Sequence, residues 1–289
     1  MVDRVESEQR HVTKPEEPAG EREWIAFLQW AMPRRQFRWR GFRNVRGQVE
    51  KRIARRMKQL GLRSLGAYRS YLDEHPQEWS AIDASCHITI SRFYRDRGVF
   101  DALERELLPA LAARALGEDG VIRCWSAGCA SGEEPYTLAI LWKLRVQPAF
   151  PSVHLRIIAT DVDAEVLERA RVARYPAAAL RELPPALTSV AFFRSGDDYV
   201  LEPELRAEVE LRLQDIRGGQ PSEHFHLVLC RNLAFTYFDV PLQREILEGI
   251  RQRTLPGGFL VIGRHEALPP GATGWMPLRA SKIYRRAES

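Results

Sequence analysis

Residues 124–139, CWSAGCASGEEPYTLA, constrain the fold more than any other stretch of this 289-residue chain. An apolar strand enters a glycine-rich turn, and two glutamates then open a helix. Gly128 and Gly132 let the backbone turn sharply and approach a ligand closely, while a helix starting at Glu133 leaves its first amides unpaired. That order builds a nucleoside pocket in a doubly wound sheet. A dinucleotide would set its pyrophosphate on those amides, where the carboxylates of Glu133 and Glu134 would oppose it. S-adenosylmethionine carries no phosphate and has a cationic sulfonium, so the acidic loop points to methyl transfer over hydride transfer.

The texture beyond about residue 97 agrees with an α/β fold. Strands are expected at 121–127, 153–160, 225–230 and 259–263, alternating with helices at 133–145, 164–171 and 241–254, which implies βαβ units around a parallel sheet. Asp161 ends the second strand within ATDVD, 29 positions beyond Gly132. An acid there accepts hydrogen bonds from ribose hydroxyls in doubly wound sheets, while Asp163 suits a helix cap. Around the turn at 195–198 the pattern changes to alternation, followed by a second β-like run at 209–213. We read about 190–213 as an antiparallel insertion.

The first 20 residues are polar, contain Pro15 and Pro18, and are expected to form a flexible tail. Residues 21–90 read as a helical domain. Val45, Val49, Ile53, Met57 and Leu60 recur at helical steps, with Lys51, Arg55 and Lys58 on the opposite face. A second helix is expected to take Ser64 as its N-cap, turn Leu65, Tyr68, Tyr71 and Leu72 inward, and stop before Pro76. This part is the basic one. Residues 21–79 hold 14 Arg and Lys against 6 Asp and Glu, whereas the whole chain is only +5. An acidic partner or nucleic acid would be drawn to it. No apolar run long enough to cross a membrane and no signal-peptide pattern is found, so a cytoplasmic protein without membrane insertion is expected. Cys86, Cys124, Cys129 and Cys230 lack CxxC spacing and read as reduced, mostly buried thiols. The histidines show no ligand spacing either, and no metal is expected.

The segments SRFYRD (91–96), WSAGCASGEEPYTLA (125–139), ATDVD (159–163), CRNLAFTYFD (230–239) and LPGGFLVIGRHE (255–266) together resemble the CheR-type chemotaxis-receptor glutamate O-methyltransferases. The resemblance spans about residues 23–286. It implies a class I, Rossmann-like methyltransferase domain over 91–289, with a small N-terminal helical domain and an inserted antiparallel β-subdomain. It implies S-adenosyl-L-methionine as cofactor and S-adenosyl-L-homocysteine as product. By resemblance, Ser91 and Arg95 belong to the cofactor and acceptor site, with Arg95 on the methionine carboxylate or positioning the methyl acceptor. Glu134, with Glu133 as rival, faces the amino-acid end of the cofactor. Asp215 and Ile216 flank the adenine, Asn232 follows the central strand, and Tyr237 lines the place where methyl meets acceptor. Gly128, Gly132 and Asp161 complete the cofactor set, and Arg95 and Tyr237 are the candidate catalytic residues. Arg231 reads equally well as a structural ion-pairing residue.

Two departures bear on the substrate. Residues 230–239 are ten where the family pattern CRNVMIYFD has nine, which shifts the acceptor wall just before Tyr237. The family's GHSE element is Gly263, Arg264, His265 and Glu266 here, and His265 is expected to be a hydrogen-bonded structural histidine. The leading reading is methyl transfer to a glutamate carboxylate of an acidic, chemoreceptor-like helical protein. A carboxylate acceptor is already ionised and needs no general base, in line with the absence of a catalytic dyad. The alternatives are a different protein or small-molecule acceptor, or a non-catalytic adaptor that senses the cofactor or binds nucleic acid through its basic domain. Against nucleic acid stands the lack of an aromatic stacking platform, although Phe37, Trp39 and Phe42 lie among arginines.

Overall fold

In the computed structural model, which describes residues 20–278 and 282–288, ten strands follow one another: β1 (Val121–Ala127), β2 (His154–Asp161), β3 (Arg174–Pro176), β4 (Phe192–Ser195), β5 (Asp198–Leu201), β6 (Val209–Leu213), β7 (Phe225–Cys230), β8 (Thr254–Ile262), β9 (Trp275–Pro277) and β10 (Ile283–Arg286). Seven of them form one sheet in the order β6-β2-β1-β7-β8-β10-β9. β6, β2, β1, β7 and β8 run parallel, and β10 pairs antiparallel with both β8 and β9. The order reverses between β2 and β7 around β1, which puts the topological switch point at the carboxyl end of β1. β7, Phe-His-Leu-Val-Leu-Cys, is buried at every position, as expected of a parallel strand covered on both faces. Its one polar side chain, His226, is satisfied. Nδ1 accepts the Arg123 N–H at 3.0 Å, so Nε2 carries the proton and donates to Glu118 at 3.2 Å.

The helix after the glycine turn runs Glu133–Leu141 and widens into a π turn over Trp142–Val146. Asp163 caps the helix Ala164–Val172 as expected, accepting from Glu165 N at 2.9 Å and Val166 N at 3.3 Å. The antiparallel insertion differs from the sequence reading at both ends. β4 and β5 form the expected hairpin, but its third strand is β3, some twenty residues earlier. Val209–Leu213 instead pairs parallel with β2 as the edge of the main sheet. Alternating apolar residues mark any half-exposed strand, so the pattern could not separate an antiparallel insert from a parallel edge.

Two compact units are present. One comprises 44–86 and the described residues up to 35; the other comprises 36–43 and the described residues from 87 on. The sequence had placed 36–43 in the helical domain. In the structure Phe37 and Phe42 are buried in the larger unit, where Phe37 stacks on Phe238 at 5.6 Å and Phe42 meets Tyr237 at 4.7 Å. Those rings therefore do not form a stacking platform. The smaller unit buries Val49, Ile53 and Met57 along the helix Arg46–Gln59, leaving Lys51, Arg55 and Lys58 exposed. Ser64 caps Leu65–Glu74 through Ala67 N. Glu78, buried there, takes both arms of Arg56 and the Tyr68 hydroxyl. The tail expected over 1–20 lies outside the described residues except for Gly20.

Candidate active site

The candidate residues gather at the carboxyl ends of the central strands. Gly128 (φ +74°) and Gly132 (φ +92°) take the left-handed conformations that the turn after β1 requires. A Cβ at Gly132 would also come within 2.6 Å of the Tyr136 ring. The loop is tied to the end of β2, where the Gly128 and Cys129 amides both donate to Thr160 O at 2.8 and 3.0 Å. Asp161 holds it too, accepting Ala130 N at 2.9 Å on Oδ2 and Asp163 N at 3.0 Å on Oδ1. Each carboxylate oxygen keeps a second lone pair, so Asp161 can brace the loop and still accept a hydroxyl. Burial pushes its pKa up against the opposing pull of those two amides.

The two glutamates that open the helix have different surroundings. Glu134 accepts Ser126 Oγ on Oε1 at 2.8 Å and pairs through Oε2 with Arg231 at 2.9 Å. Arg231, its side chain 2% exposed, also binds Asp96 at 2.9 Å and the Arg95 carbonyl at 2.6 Å, fastening the 91–96 loop to the helix start. The ion-pair partner of Asp96 is thus Arg231, whereas Arg95 donates to Ile90 O at 2.7 Å. Glu133 is 7% exposed, and its Oε2 is buried with no hydrogen-bond partner. Burial raises its pKa. Tyr175 on β3 donates to Ser131 O at 2.6 Å, joining the insertion to the glycine loop.

Across the sheet, Asp215 is gripped by the Arg217 guanidinium at 2.7 Å and by the Arg217 amide at 2.9 Å. Burial pushes the Asp215 carboxyl up, but these bonds outweigh it and its pKa is lowered. Ile216 beside it is buried. Asn232 follows β7 with φ +54°, and Tyr237 ends the short helical turn Ala234–Tyr237. Burial raises the Tyr237 pKa, while the nearby Arg95 charge lowers it. His265, expected as a hydrogen-bonded structural histidine, has an exposed side chain, as does Arg264. The buried side chain of that element is Glu266, which its sequence neighbours obscured. Its Oε2 accepts Asn232 N at 2.8 Å and Gly263 N at 2.5 Å, its Oε1 accepts Thr236 Oγ1 at 2.7 Å, and burial raises its pKa. An acid three residues past a strand was the available signal. Among the described residues no group of His, Cys, Asp and Glu could hold a metal ion, and the four cysteines are free and buried.

A doubly wound sheet whose penultimate strand is reversed, with a glycine turn after β1, is the class I methyltransferase fold. Direct matches then give the family. Residues 89–285 match the CheR methyltransferase, SAM binding domain, and residues 44–82 match the CheR methyltransferase, all-alpha domain. The chain belongs to the CheR methyltransferase family. The chemotaxis protein methyltransferase of Listeria monocytogenes serovar 1/2a is 33% identical over 63% of this chain, and the chain spans 66% of that relative's length. Chemotaxis protein methyltransferase 2 of Pseudomonas aeruginosa is 33% identical over 75% of this chain and 77% of its own. The Escherichia coli K12 chemotaxis protein methyltransferase is 31% identical over 76% of each. A solved N-methyltransferase, NodS of Bradyrhizobium japonicum WM9, covers 65% of this chain at 17% identity with a TM-score of 0.32, too low to add to the family match.

The residues fit the cofactor. The unpartnered Glu133 Oε2 is a buried acceptor beside the glycine turn, suited to an ammonium group, and Asp161 keeps lone pairs for a diol. No helix among the described residues is long and apolar enough to cross a membrane.

Proposed function

We propose that the protein transfers a methyl group from S-adenosylmethionine to a glutamate carboxylate of a chemoreceptor-like helical protein, working in the cytoplasm. The observation that carries this reading is the buried, unpartnered Glu133 Oε2 next to a left-handed glycine turn and Asp161. When bound, S-adenosylmethionine supplies a methyl group on a positively charged sulfur. Asp161 holds the ribose hydroxyls, Asp215 and Ile216 flank the adenine, and Glu133, Glu134, Ser91 and Asn232 hold the amino-acid end. Asp215, already bonded to Arg217, retains acceptor capacity for an exocyclic amine.

In-line displacement asks chiefly for alignment, with reacting atoms about 3–3.5 Å apart. A glutamate side chain is ionised at neutral pH, so the site has to orient it and exclude water rather than remove a proton. Arg95 and Tyr237 do the orienting. Arg95 also donates to the Ile90 carbonyl, which moderates its hold on the acceptor, and a moderate grip suits an anion whose charge is neutralised in the transition state. The exposed Lys51, Arg55 and Lys58 attract an acidic receptor helix.

Incubation with methyl-tritiated S-adenosylmethionine and a chemoreceptor cytoplasmic fragment tests the reading. Label that is released from the receptor by mild base supports the carboxyl ester. Base-stable label, or label on a small molecule only, assigns a different acceptor, and tight cofactor binding without any transfer supports an adaptor. Charge reversal of Lys51, Arg55 and Lys58 should raise the receptor KM and leave cofactor affinity unchanged.

A further inference from the structure

The turn Ala234–Tyr237 is gripped from two separate parts of the chain. Glu266, 3% exposed, bonds the Thr236 hydroxyl and the backbone N–H groups of Asn232 and Gly263. From nearly two hundred residues earlier, Arg38 donates through Nε to Thr236 O at 2.9 Å and through its terminal nitrogen to Phe235 O, and its backbone N–H donates to Tyr237 O at 2.8 Å. A one-turn helix leaves its last carbonyls without partners, and Arg38 supplies them. Gly41 lies so close that a Cβ there would stand 2.1 Å from Thr236 O. Burial lowers the Arg38 pKa, and the Glu266 charge opposes that shift. These bonds hold the stretch from Asn232 to Tyr237 at both of its ends.

Building on the methyl-transfer reading, we propose that Arg38 and Glu266 are positioning residues that clamp Thr236 and thereby set the pose of Tyr237 at the acceptor wall and of Asn232 at the cofactor. The extra residue that the sequence carries just before Tyr237 falls inside the clamped stretch, between Asn232 and Tyr237. Arg38 acts on the acceptor side through Thr236 and Tyr237. Glu266 acts on both sides, because the same carboxylate carries the Asn232 amide.

The test uses the full-length chain, methyl-tritiated S-adenosylmethionine, a chemoreceptor cytoplasmic fragment, and calorimetry with S-adenosylhomocysteine. A misplacement of about 1 Å lowers turnover by up to about 100-fold. Arg38→Met and Gly41→Ala should therefore lower kcat by about 10–100-fold, with S-adenosylhomocysteine affinity within about threefold of the native chain and an unchanged cofactor-induced rise in Tm. Glu266→Ala should lose both turnover and cofactor affinity. Glu266→Gln keeps an oxygen for the two amides and a donor for the threonine hydroxyl, so it should restore most of both. Native kcat in Arg38→Met and Gly41→Ala overturns the proposal, as does a loss of cofactor affinity in step with kcat in those two variants. A native chain that neither transfers methyl nor binds S-adenosylhomocysteine overturns the methyl-transfer reading itself. A working native chain with unaffected variants overturns this inference alone.

Discussion

Replacing Arg231 by methionine removes one guanidinium and strands two carboxylates. In the native protein Arg231 pairs with Glu134 and Asp96, each at 2.9 Å, with side-chain exposures of 2%, 13% and 20% for the three residues. Breaking a buried pair from one side costs about 3–5 kcal/mol, because the remaining charge stays desolvated. Glu134 retains Ser126 Oγ and both acids keep some access to water, which places the expected loss near the lower figure, about 3 kcal/mol. For a unit of about 200 residues, 3–5 kcal/mol corresponds to a fall in Tm of about 6–20 °C. Thermal melting followed by circular dichroism at pH 7 measures it. Arg231→Lys should fall between, since one ammonium cannot reproduce the fork that reaches Asp96, Glu134 and the Arg95 carbonyl together. Neutralising the stranded acids in Arg231→Met/Glu134→Gln/Asp96→Asn should recover most of the loss. A loss below about 1 kcal/mol for Arg231→Met, or no recovery in the triple variant, would refute the reasoning that uncompensated charge sets the cost.

Other outcomes follow from the same physics. Burial holds the Glu133 and Asp161 carboxyls above the ordinary range, so these groups favour the apo fold at acid pH and lose that contribution as pH rises through their raised values. Cofactor binding needs them ionised; the Tm increment given by S-adenosylhomocysteine should therefore shrink as pH is lowered from 7 towards 5, and an increment independent of pH would speak against their role. Glu78 shows the opposite sign. Its hydrogen bonds to Arg56 hold its pKa down, so its contribution is present above the unfolded value of about 4.3 and is lost as pH falls through the depressed one. Glu78→Gln should destabilise the helical unit by about 1.5–3 kcal/mol at pH 7 and by progressively less in acid, as read from urea unfolding at several pH values. Gly132→Ala combines a left-handed φ with a Cβ 2.6 Å from the Tyr136 ring, and should cost about 2–5 kcal/mol and weaken the cofactor; a melt within 2 °C of native would contradict that.

Local chemistry made much of this architecture readable before any coordinates. The turn after β1 was legible because only glycine serves at Gly128 and Gly132, and Ser64 and Asp163 announced their helices because a short polar side chain satisfies amides at a helix start. Mostly apolar runs gave β1 and β7 their bounds. What sequence order could not carry was long-range partnership. Arg38 looks like one more arginine in a basic stretch, and its partners Phe235 and Thr236 lie nearly two hundred residues away. Edge pairing was equally hidden, since Val209–Leu213 alternates as an insert strand would and joins the main sheet instead. Glu266 was obscured by its neighbours: Arg264 and His265 drew attention as charged and titratable groups, yet they are exposed, and the acid that follows them is the one the sheet buries.

Calorimetric titration of S-adenosylhomocysteine into the native chain and into Asp161→Asn bears most directly on the pocket at the carboxyl ends of β1 and β2. Native protein should bind with measurable heat, and the variant should bind about 10–150-fold more weakly, the equivalent of about 1.5–3 kcal/mol for hydrogen bonds to a charged group. Folded native protein giving no heat with either S-adenosylhomocysteine or S-adenosylmethionine would contradict the assignment of that pocket.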